Sequence, residues 1–465
     1  MFVGEKIAAV QLGGASKSRS CKVTERKIKI KRLCSLCGKT TVVSSHSLSR
    51  TVSDCRNLIF MERLLINMCN SASVVFCTAI LTIVLTFYIL YFSRTIIVQE
   101  YSQANIVNRP YANVSRSCNL FKGQWIPDRR DTLYTNFSCT TIPYRRNCFF
   151  HGRKDKDFLH WRWKPEQCEL PRFSSKTFLS IVQGKTMAFI GDSLARNQMD
   201  SLLCLLSTEE TPKEVYKDAE DRSMTWEFPK HKFTLMTLWS QFLVTATETM
   251  FNGSATGSFD LHLDKVDQNW SEKIHFIDYA IFSDVQWFFR QHYLYEGGNL
   301  IGCILCQVPN MTDLGLNFAI KRAFQAAFKQ INECKNCKNI FTVLRTFSPS
   351  HFENGTWNTG GGCNRTRPVK IEDVIGRDSN WELRKIQVEE IETAREKGEY
   401  LGSMFEILDI TEIMGMRPDG HPGLYGGNTW MTGYSDCIHW CLPGPIDVWN
   451  ELLLEMIKRQ TFSLN

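Results

Sequence analysis

The sequence predicts an α/β protein: a three-layer α/β/α sandwich around a mostly parallel sheet, with a disulfide-stapled N-terminal lobe and a single N-terminal transmembrane helix. Three observations indicate this class. From Phe178 onward, short apolar runs alternate with amphipathic helical patterns, as in parallel sheets. A charge-free apolar segment lies near the N-terminus. Twelve of the 18 cysteines follow that segment, an even number that favours disulfides in an oxidising compartment.

The apolar segment covers residues 64–93, and its densest part, Ser73–Phe92, is about long enough to cross ~30 Å of hydrocarbon as a helix. A buried core helix is the alternative interpretation. Residues 1–63 hold 13 Lys and Arg against 4 Asp and Glu, which leaves 42 basic and 44 acidic residues for the rest. The positive-inside rule therefore predicts a cytosolic tail, 1–63, and a type II anchor with the remainder in the lumen.

A basic tail of this kind lies against anionic lipid or simply sets topology, and the nearly neutral remainder does not suggest a nucleic-acid-binding domain. We expect three lumenal parts: a polar stem at 94–117, a Cys-rich lobe at 118–177 and an α/β catalytic domain at 178–465. Glycosylation sequons, all after the membrane segment, occur at Asn113, Asn136, Asn252, Asn269, Asn310, Asn354 and Asn364.

Within the α/β domain, each predicted element follows from its pattern of apolar residues. A continuous apolar run is typical of a strand buried on both faces, and alternation is typical of an exposed or edge strand. A buried strand is predicted at Met187–Ile190, and Ile274–Phe282 is a second apolar run. Strands are also predicted at Asn339–Thr346 and Phe405–Ile410, and exposed or edge strands at Phe233–Val244 and Phe259–Leu263. Helices are predicted at Ser193–Leu206, Leu314–Asn332, Glu382–Lys397 and Ile446–Lys458.

The first of these strands runs into Gly191-Asp-Ser193, and a helix follows at once. A serine in such a turn has its hydroxyl free, and the N–H groups at the start of the helix can stabilise an oxyanion. A Gly-Asp-Ser tripeptide also occurs in ordinary turns and caps. Ser193 is therefore a candidate nucleophile that needs a base elsewhere in the chain.

Asp436-Cys-Ile-His439 near the C-terminus supplies that base. Three-residue spacing in one short turn lets the carboxylate reach the imidazole Nδ1 while Nε2 points to the serine. A hydrogen-bonded surface turn is the alternative for Asp436 and His439. An early Gly-Asp-Ser with a late Asp-x-x-His is the order found in GDSL, or SGNH, esterases.

With these motifs the chain resembles plant trichome birefringence-like proteins, the DUF231 or PC-esterase family of polysaccharide O-acetyltransferases. The resemblance covers Cys118 to about Ile457. It rests on Cys118-Asn-Leu-Phe-Lys-Gly-Gln-Trp125, Trp161-Arg-Trp-Lys-Pro165, Cys168-Glu-Leu-Pro-Arg-Phe173, Gly191-Asp-Ser-Leu-Ala-Arg-Asn197, Arg345-Thr-Phe-Ser-Pro-Ser-His-Phe352, Gly360-Gly-Gly-Cys363, Arg417-Pro-Asp-Gly-His-Pro422 and Asp436-Cys-Ile-His-Trp-Cys-Leu-Pro-Gly444.

The resemblance implies a GDSL/SGNH-type fold and a Golgi type II membrane enzyme that transfers acetyl groups to hydroxyls of cell-wall polysaccharide. Ser193 would be the nucleophile, His439 the general base and acid, and Asp436 the orienting acid. Arg196, Asn197 and Trp287 are candidates for the oxyanion or substrate site. The implied disulfides are Cys118–Cys168, Cys139–Cys204, Cys148–Cys441 and Cys363–Cys437.

No bound cofactor or metal is expected. The implied partners are a polysaccharide acceptor, an acetyl donor (acetyl-CoA or an acetylated carrier), the membrane and a Golgi transporter that delivers the donor. The motifs look closest to the xyloglucan acetyltransferase branch, with xylan as the second acceptor, and mannan or pectin after it.

Two positions depart from the family pattern. Members commonly carry Gly-His-Trp where this chain has Val285-Gln286-Trp287, and Gln198 stands where relatives often have His. If the missing glycine contributes its amide to the oxyanion hole, that hole is altered here. This motivates one alternative to an acetyltransferase, a non-catalytic protein that binds wall polysaccharide. A polysaccharide acetyl esterase is the other alternative, because the sequence does not show whether water or sugar reaches the acyl-enzyme.

Some cysteines, histidines and tryptophans keep two interpretations. Cys303-x-x-Cys306 and Cys334-x-x-Cys337 suit two disulfides in an oxidising lumen, or a zinc site. His351 and His421 are expected to be structural. Aromatic side chains that line a sugar cleft or pack in the core are Trp125, Trp161, Trp163, Trp287 and Trp440.

Overall fold

The computed structural model describes Thr86 and residues 118–463, except 338, 375–379, 399–402 and 428–432. The predicted tail, stem and anchor lie outside these residues apart from Thr86, as does the sequon at Asn113. Among the described residues, no helix combines the length and apolarity needed to span a bilayer. Residues 115–465 belong to one compact unit, and the description below concerns that unit.

The lobe carries a two-stranded antiparallel sheet, in which Trp125 is paired with Trp163. A short helix and the first strand of the main sheet follow, and the candidate nucleophile begins the next helix. These elements are β1 (Gly123–Pro127), β2 (Trp161–Pro165), α1 (Ser175–Ile181), β3 (Thr186–Gly191) and α2 (Ser193–Leu206). The α1 helix crosses residue 178, where the sequence predicts the start of the catalytic domain.

The middle of the chain contributes four more strands to the main sheet and a separate four-stranded sheet. These elements are β4 (Lys213–Lys217), β5 (Met224–Phe228), β6 (Phe233–Trp239), β7 (Val244–Phe251), β8 (Ser254–Val266), α3 (Gln268–Ser271), β9 (Tyr279–Ser283), β10 (His292–Glu296) and β11 (Asn299–Ile304). The C-terminal elements are α4 (Leu316–Asn332), β12 (Phe341–Arg345), α5 (Asn380–Gly398), β13 (Met404–Leu408), α6 (Thr411–Gly415) and α7 (Asp447–Ser463).

The main sheet has the order β13-β12-β9-β3-β6-β5-β4, and the smaller sheet β11-β10-β8-β7. Strands β13 to β6 are parallel, whereas β5 and β4 are antiparallel additions at one edge. The mixed α/β class predicted from the alternation of elements is confirmed. Because the parallel strands end at one edge, the turns after β3, β9 and β12 are brought together there.

Strand β3 separates two hydrophobic cores, as its alternating side chains require. Met187 and Phe189 pack in the core that contains residues of α1, α2 and α7. Ala188 and Ile190 pack in the other, with residues of α4 and α5. Helices therefore cover both faces of the main sheet.

Three strand predictions are wrong in detail. Phe233–Trp239 is not an edge strand, because β6 lies between β3 and β5 and buries Phe233, Leu235 and Leu238. Phe259–Leu263 is not an edge strand either, because it lies in β8, between β10 and β7. The apolar run Ile274–Phe282 is divided: Ile274–Phe276 is a 3-10 turn, and β9 begins at Tyr279. The apolar pattern marks burial in these cases, and it does not specify which neighbour covers each strand.

Candidate active site

The turn after β3 holds Ser193 at the start of α2. Gly191 has φ +138°, and a Cβ there would lie 1.8 Å from the Ser283 carbonyl oxygen of β9, so only glycine fits. The buried Asp192 carboxylate caps the helix by accepting from the Leu194 N–H at 2.8 Å. Its second oxygen accepts from the Gln286 N–H at 3.2 Å, which ties the turn after β9 to the nucleophile turn.

Ser193, His439 and Asp436 form a connected hydrogen-bonded triad. The Ser193 hydroxyl lies 2.7 Å from His439 Nε2. His439 Nδ1 lies 2.9 Å from Asp436 Oδ2 and 3.0 Å from Oδ1. Because a carboxylate only accepts, Nδ1 carries the proton and donates it to Asp436, which leaves the Nε2 lone pair for the serine O–H. The arrangement is competent for nucleophilic acyl chemistry.

Asp436 has a second buried partner that sequence reasoning missed. Arg146 of the lobe donates from Nη1 to Asp436 Oδ2 at 3.1 Å, with both side chains 5% exposed. Burial favours the neutral acid, but His439 and Arg146 outweigh it and hold the pKa of Asp436 well below its usual range. Burial, followed by Arg146, lowers the pKa of His439, which keeps it a neutral base.

A sequence signal for Arg146 was present. Arg146 stands two residues before Cys148, which the resemblance pairs with Cys441, and Cys441 stands two residues after His439. A basic residue that close to the implied bridge has to lie near the triad turn. The Leu442 N–H indeed donates to the Arg146 carbonyl at 3.0 Å.

Asn197 fixes the backbone beside the base. Its Oδ1 accepts from the Trp440 N–H at 2.8 Å, and its Nδ2 donates to the Trp440 carbonyl at 3.3 Å. Both amide atoms are therefore engaged by the residue that follows His439. These contacts make Asn197 a positioning residue for the backbone that follows the base. Gln198 lies away from the triad, buried against Asn450 of α7.

Arg196 and Trp287 lie in a half-buried aromatic and cationic surface at the same edge of the sheet. Trp239, in register with Gly191, packs edge-to-face with Trp287, with ring centroids 6.2 Å apart. The Arg196 guanidinium lies 5.8 Å from the Trp239 ring centroid. Arg290 lies 4.9 Å from the Trp287 ring and 4.7 Å from the Trp357 ring. Trp239 and Trp357 are not among the tryptophans that the sequence motifs indicated.

The other candidate tryptophans lie elsewhere. Trp163 and Trp440 are at most 1% exposed and pack in the core. Trp125 donates from Nε1 to the Ile413 carbonyl and carries the buried Arg417 guanidinium on its face, 4.3 Å from the ring centroid. Trp161 is half-buried in β2.

Val285 has φ +146°, a conformation that glycine adopts freely and L-residues rarely do. Its N–H donates to the Asp284 carboxylate at 2.7 Å, so this amide is not directed at the nucleophile. The side-chain amide of Gln286 donates to the Ser348 carbonyl at 3.1 Å. The departure from Gly-His therefore places a strained residue and a tethered amide beside the site.

Six disulfides join the twelve cysteines of the described residues. Cys118–Cys168, Cys139–Cys204, Cys148–Cys441 and Cys363–Cys437 are the four pairs that the resemblance implies. The last two hold both ends of the triad turn. Cys303 is bridged to Cys306 and Cys334 to Cys337, and no cluster of three His, Cys, Asp or Glu able to hold a metal occurs in the described part of the chain.

Five of the predicted sequons have an exposed asparagine: Asn252, Asn269, Asn310, Asn354 and Asn364. Asn136 is half-buried.

Two family models cover the chain from 116 to 456. The first, "PMR5 N terminal Domain", matches residues 116–169. The second, "GDSL/SGNH-like Acyl-Esterase family found in Pmr5 and Cas1p", matches residues 170–456.

The chain is also similar to named plant proteins. It is 54% identical to "Xyloglucan O-acetyltransferase 4" of Populus trichocarpa, over 82% of this chain and 90% of that protein. It is 52% identical to "xyloglucan O-acetyltransferase 2" of Arabidopsis thaliana, over 74% of this chain and 84% of that protein. It is 43% identical to "Protein trichome birefringence-like 20" of Arabidopsis thaliana, over 74% of this chain and 73% of that protein.

The resemblance drawn from the motifs is thereby confirmed. By the extent of both kinds of match, the chain belongs to the PC-Esterase family, the GDSL/SGNH-like acyl-esterases found in Pmr5 and Cas1p.

Proposed function

We propose that this protein is an O-acetyltransferase that transfers acetyl groups to hydroxyls of plant cell-wall polysaccharide through an acetyl-Ser193 intermediate. Xyloglucan is the first candidate for the acceptor. The observation that carries the proposal is the 2.7 Å contact between Ser193 Oγ and His439 Nε2, backed by Asp436. The names of the relatives supply the acetyl group and the acceptor. Helices on both faces of the sheet support the three-layer GDSL/SGNH arrangement.

In the first half-reaction, Ser193 Oγ attacks the acetyl carbonyl of the donor while His439 Nε2 takes the hydroxyl proton. The donor's leaving group departs with that proton, and acetyl-Ser193 remains. The 14-residue α2 begins at Ser193, and its dipole favours the negative charge of the developing oxyanion. Asp436 stabilises the imidazolium that forms.

In the second half-reaction, a sugar hydroxyl gives its proton to His439 Nε2, and its oxygen attacks the acetyl carbonyl. Ser193 leaves as the hydroxyl and recovers the proton, so the enzyme is regenerated. Water in place of the sugar would make the same site an acetyl esterase. The deciding property is therefore which hydroxyl reaches the acyl-enzyme.

The acceptor is proposed to lie on the surface formed by Trp239, Trp287 and Trp357. Their half-buried rings offer flat apolar faces to pyranose C–H groups, and arginines between them can donate to sugar oxygens. A panel of xyloglucan, xylan, mannan and pectin oligosaccharides, incubated with the enzyme and an acetyl donor and read by mass spectrometry, identifies the acceptor.

The test of the catalytic assignment is Ser193→Ala in the purified protein. Acetyl transfer should fall by several orders of magnitude, and labelling by a serine-directed fluorophosphonate should disappear. Transfer retained by Ser193→Ala contradicts the mechanism. A wild-type protein that fails to label favours the non-catalytic binding protein instead. A wild-type protein that releases free acetate from acetylated oligosaccharides, and acetylates none, is the esterase.

A type II orientation in the Golgi membrane is part of the proposal. It is supported by the apolar segment 64–93 behind a basic tail, by the six disulfides and by the exposed sequons. The domain division at 118 and 178 and a transporter that supplies the acetyl donor belong to the same proposal. Protease protection of the glycosylated domain in sealed Golgi vesicles tests the orientation.

A further inference from the structure

Two histidines outside the triad form a continuous hydrogen-bonded chain to the backbone of His439. His421 Nδ1 lies 2.6 Å from the His439 carbonyl oxygen. His421 Nε2 lies 2.7 Å from His351 Nδ1. His351 Nε2 lies 3.0 Å from the carbonyl oxygen of Gly415, the last residue of α6. All four ring nitrogens are thus within hydrogen-bond distance of one another or of a carbonyl.

The contacts of the two imidazole rings require three hydrogens, one more than two neutral rings carry. Carbonyl oxygens only accept, so His421 Nδ1 and His351 Nε2 each carry a hydrogen. Two neutral rings would then oppose lone pairs across the 2.7 Å gap between His351 Nδ1 and His421 Nε2. A third proton placed between them satisfies every contact, and the pair then carries one positive charge.

We propose that His351 and His421 share a proton and act as a positioning pair, which holds the His439 turn in its productive geometry only while that proton is bound. The proposal rests on the proposed function, since it takes His439 as the base. When the proton leaves, the facing lone pairs repel, and the contact with either Gly415 or His439 is lost.

The surroundings of the pair support such a role. His421 is 3% exposed and stacks on Trp440, with ring centroids 4.0 Å apart, so it cannot turn to solvent. His351 is half-buried and borders a pocket of about 370 Å³, through which a proton can exchange. The main-chain N–H of His351 also donates to the Cys437 carbonyl at 3.1 Å. The two residues therefore contact the triad turn at two points.

Several charged groups among the described residues surround the pair. Asp436 is the carboxylate that favours a proton on His421, while burial, His351 and His439 lower the pKa of His421. Arg153 of the lobe donates to the His421 carbonyl at 2.9 Å. The Arg417–Asp419 and Arg365–Glu353 ion pairs are internally balanced, and Asp373 lines the pocket. Positive charge on the His351–His421 pair repels positive charge on His439. A proton on the pair therefore favours the neutral form of His439, which is the active base.

His351→Asn tests the proposal. The amide can donate to His421 Nε2 without an added proton, so it keeps the bridge and removes its titration. In the wild type, kcat for acetyl transfer and for p-nitrophenyl acetate hydrolysis should fall on the alkaline side, by on the order of ten- to a hundredfold. In His351→Asn this alkaline fall should vanish, while activity near the optimum is retained. His275→Asn, at an exposed histidine, is the matched control and should leave the profile unchanged.

A second measurement does not depend on activity. Two-bond ¹H–¹⁵N correlation spectra of wild-type protein with ¹⁵N-labelled histidine should show three protonated nitrogens over the two rings at the pH of highest activity. Two protonated nitrogens, or an alkaline limb that persists in His351→Asn, overturns the proposal. Because the spectra need no acetyl transfer, failure of the proposed function would leave this result readable.

Discussion

The Asp436 carboxylate accepts hydrogen bonds from two basic side chains, His439 three residues away and Arg146 in the lobe. The serine, histidine and aspartate could be predicted because they lie in short motifs with a fixed chemical order. Arg146 could not be assigned in the same way, since its role depends on a contact 290 residues away in the chain. Local spacing identifies residues that react, and tertiary packing selects those that set their charge.

Removing the Arg146 charge should change the pH dependence of catalysis. Burial, followed by Arg146, lowers the pKa of His439, so Arg146→Gln should raise that pKa. The base must be neutral to act, and the acid limb of the kcat profile should therefore move to higher pH. Removing one partner of the buried Arg146–Asp436 ion pair should also destabilise the fold by about 3–5 kcal/mol.

Arg145→Gln is the matched control, because Arg145 is exposed beside Arg146 in the same turn. Arg146→Lys keeps the charge and should leave the acid limb near its wild-type position. An unchanged limb in a folded Arg146→Gln variant would show that the ion pair does not tune the base.

Backbone strain at Val285 gives a second prediction at this scale. A residue held at φ +146° costs on the order of 1–3 kcal/mol unless it is glycine. At an ordinary position, Val→Gly lowers folding stability more than Val→Ala does. The difference is about 0.8 kcal/mol for the lost methyl and 0.5–1 kcal/mol for backbone entropy. Only glycine relieves the strain, so Val285→Gly should be at least as stable as Val285→Ala in denaturant melts. The ordinary ranking, with glycine clearly less stable, would mean that Val285 is not strained.

Among the elements, the lobe is part of the active-site architecture. Arg153 Nη2 donates to the Asp419 carbonyl at 2.7 Å, and the buried Arg417 donates to the Phe158 carbonyl at 2.6 Å. These contacts, with Cys148–Cys441, connect the lobe to the segments that contain His421 and His439. The sequence predicts the lobe as a unit held by disulfides. The ion pairs and carbonyl contacts that join it to the active site come from side chains that no local sequence pattern identifies.

Removal of the Cys148–Cys441 bridge should therefore lower both stability and kcat. The bridge spans 293 residues, and a cross-link over so long a loop is worth on the order of 3–5 kcal/mol. A double Cys148→Ser, Cys441→Ser variant should show a lower Tm and a kcat loss that exceeds any change in KM, because the triad turn is less fixed. The Cys334–Cys337 bridge spans only three residues, so its double serine variant is the control. Equal effects from both removals would contradict a positioning role.

The strands show where sequence patterns stop being informative. Helix α2 was predicted with its observed bounds, and α4 and α5 within two residues, because their apolar faces repeat over several turns. Strand β6 was misplaced, because alternation shows that one face is more buried but not which neighbours flank the strand. The register that aligns Trp239 with Gly191, and so brings it to the site, comes from pairing between distant segments.

Across the whole molecule, buried carboxyl groups without a full set of cationic partners accumulate around α2 and α7. Burial raises the pKa of Asp200 to about 7, against the opposing effect of Arg196 and Arg146. Burial also raises the pKa of Asp447 to about 6. Each such group binds its proton more tightly in the folded state than in the unfolded one. Folding stability contributed by these protons is therefore complete below about pH 4 and is lost as the pH rises to the folded value.

Asp200→Asn isolates one of these protons. Relative to wild type, its free energy of unfolding should rise by about 1.4 kcal/mol for each pH unit between about pH 4 and pH 7. In this range, unfolding of the wild type releases the Asp200 proton, whereas the amide of the variant has no such proton to release. Below and above that window the difference should be flat. Urea melts at a series of pH values measure it, and Glu209→Gln, an exposed acid just beyond the same helix, should show no such slope. A difference independent of pH would mean that Asp200 is ionised throughout. In that case Arg146 and Arg196 would compensate Asp200 as well as Asp436, and the lobe's arginine would serve two buried acids at once.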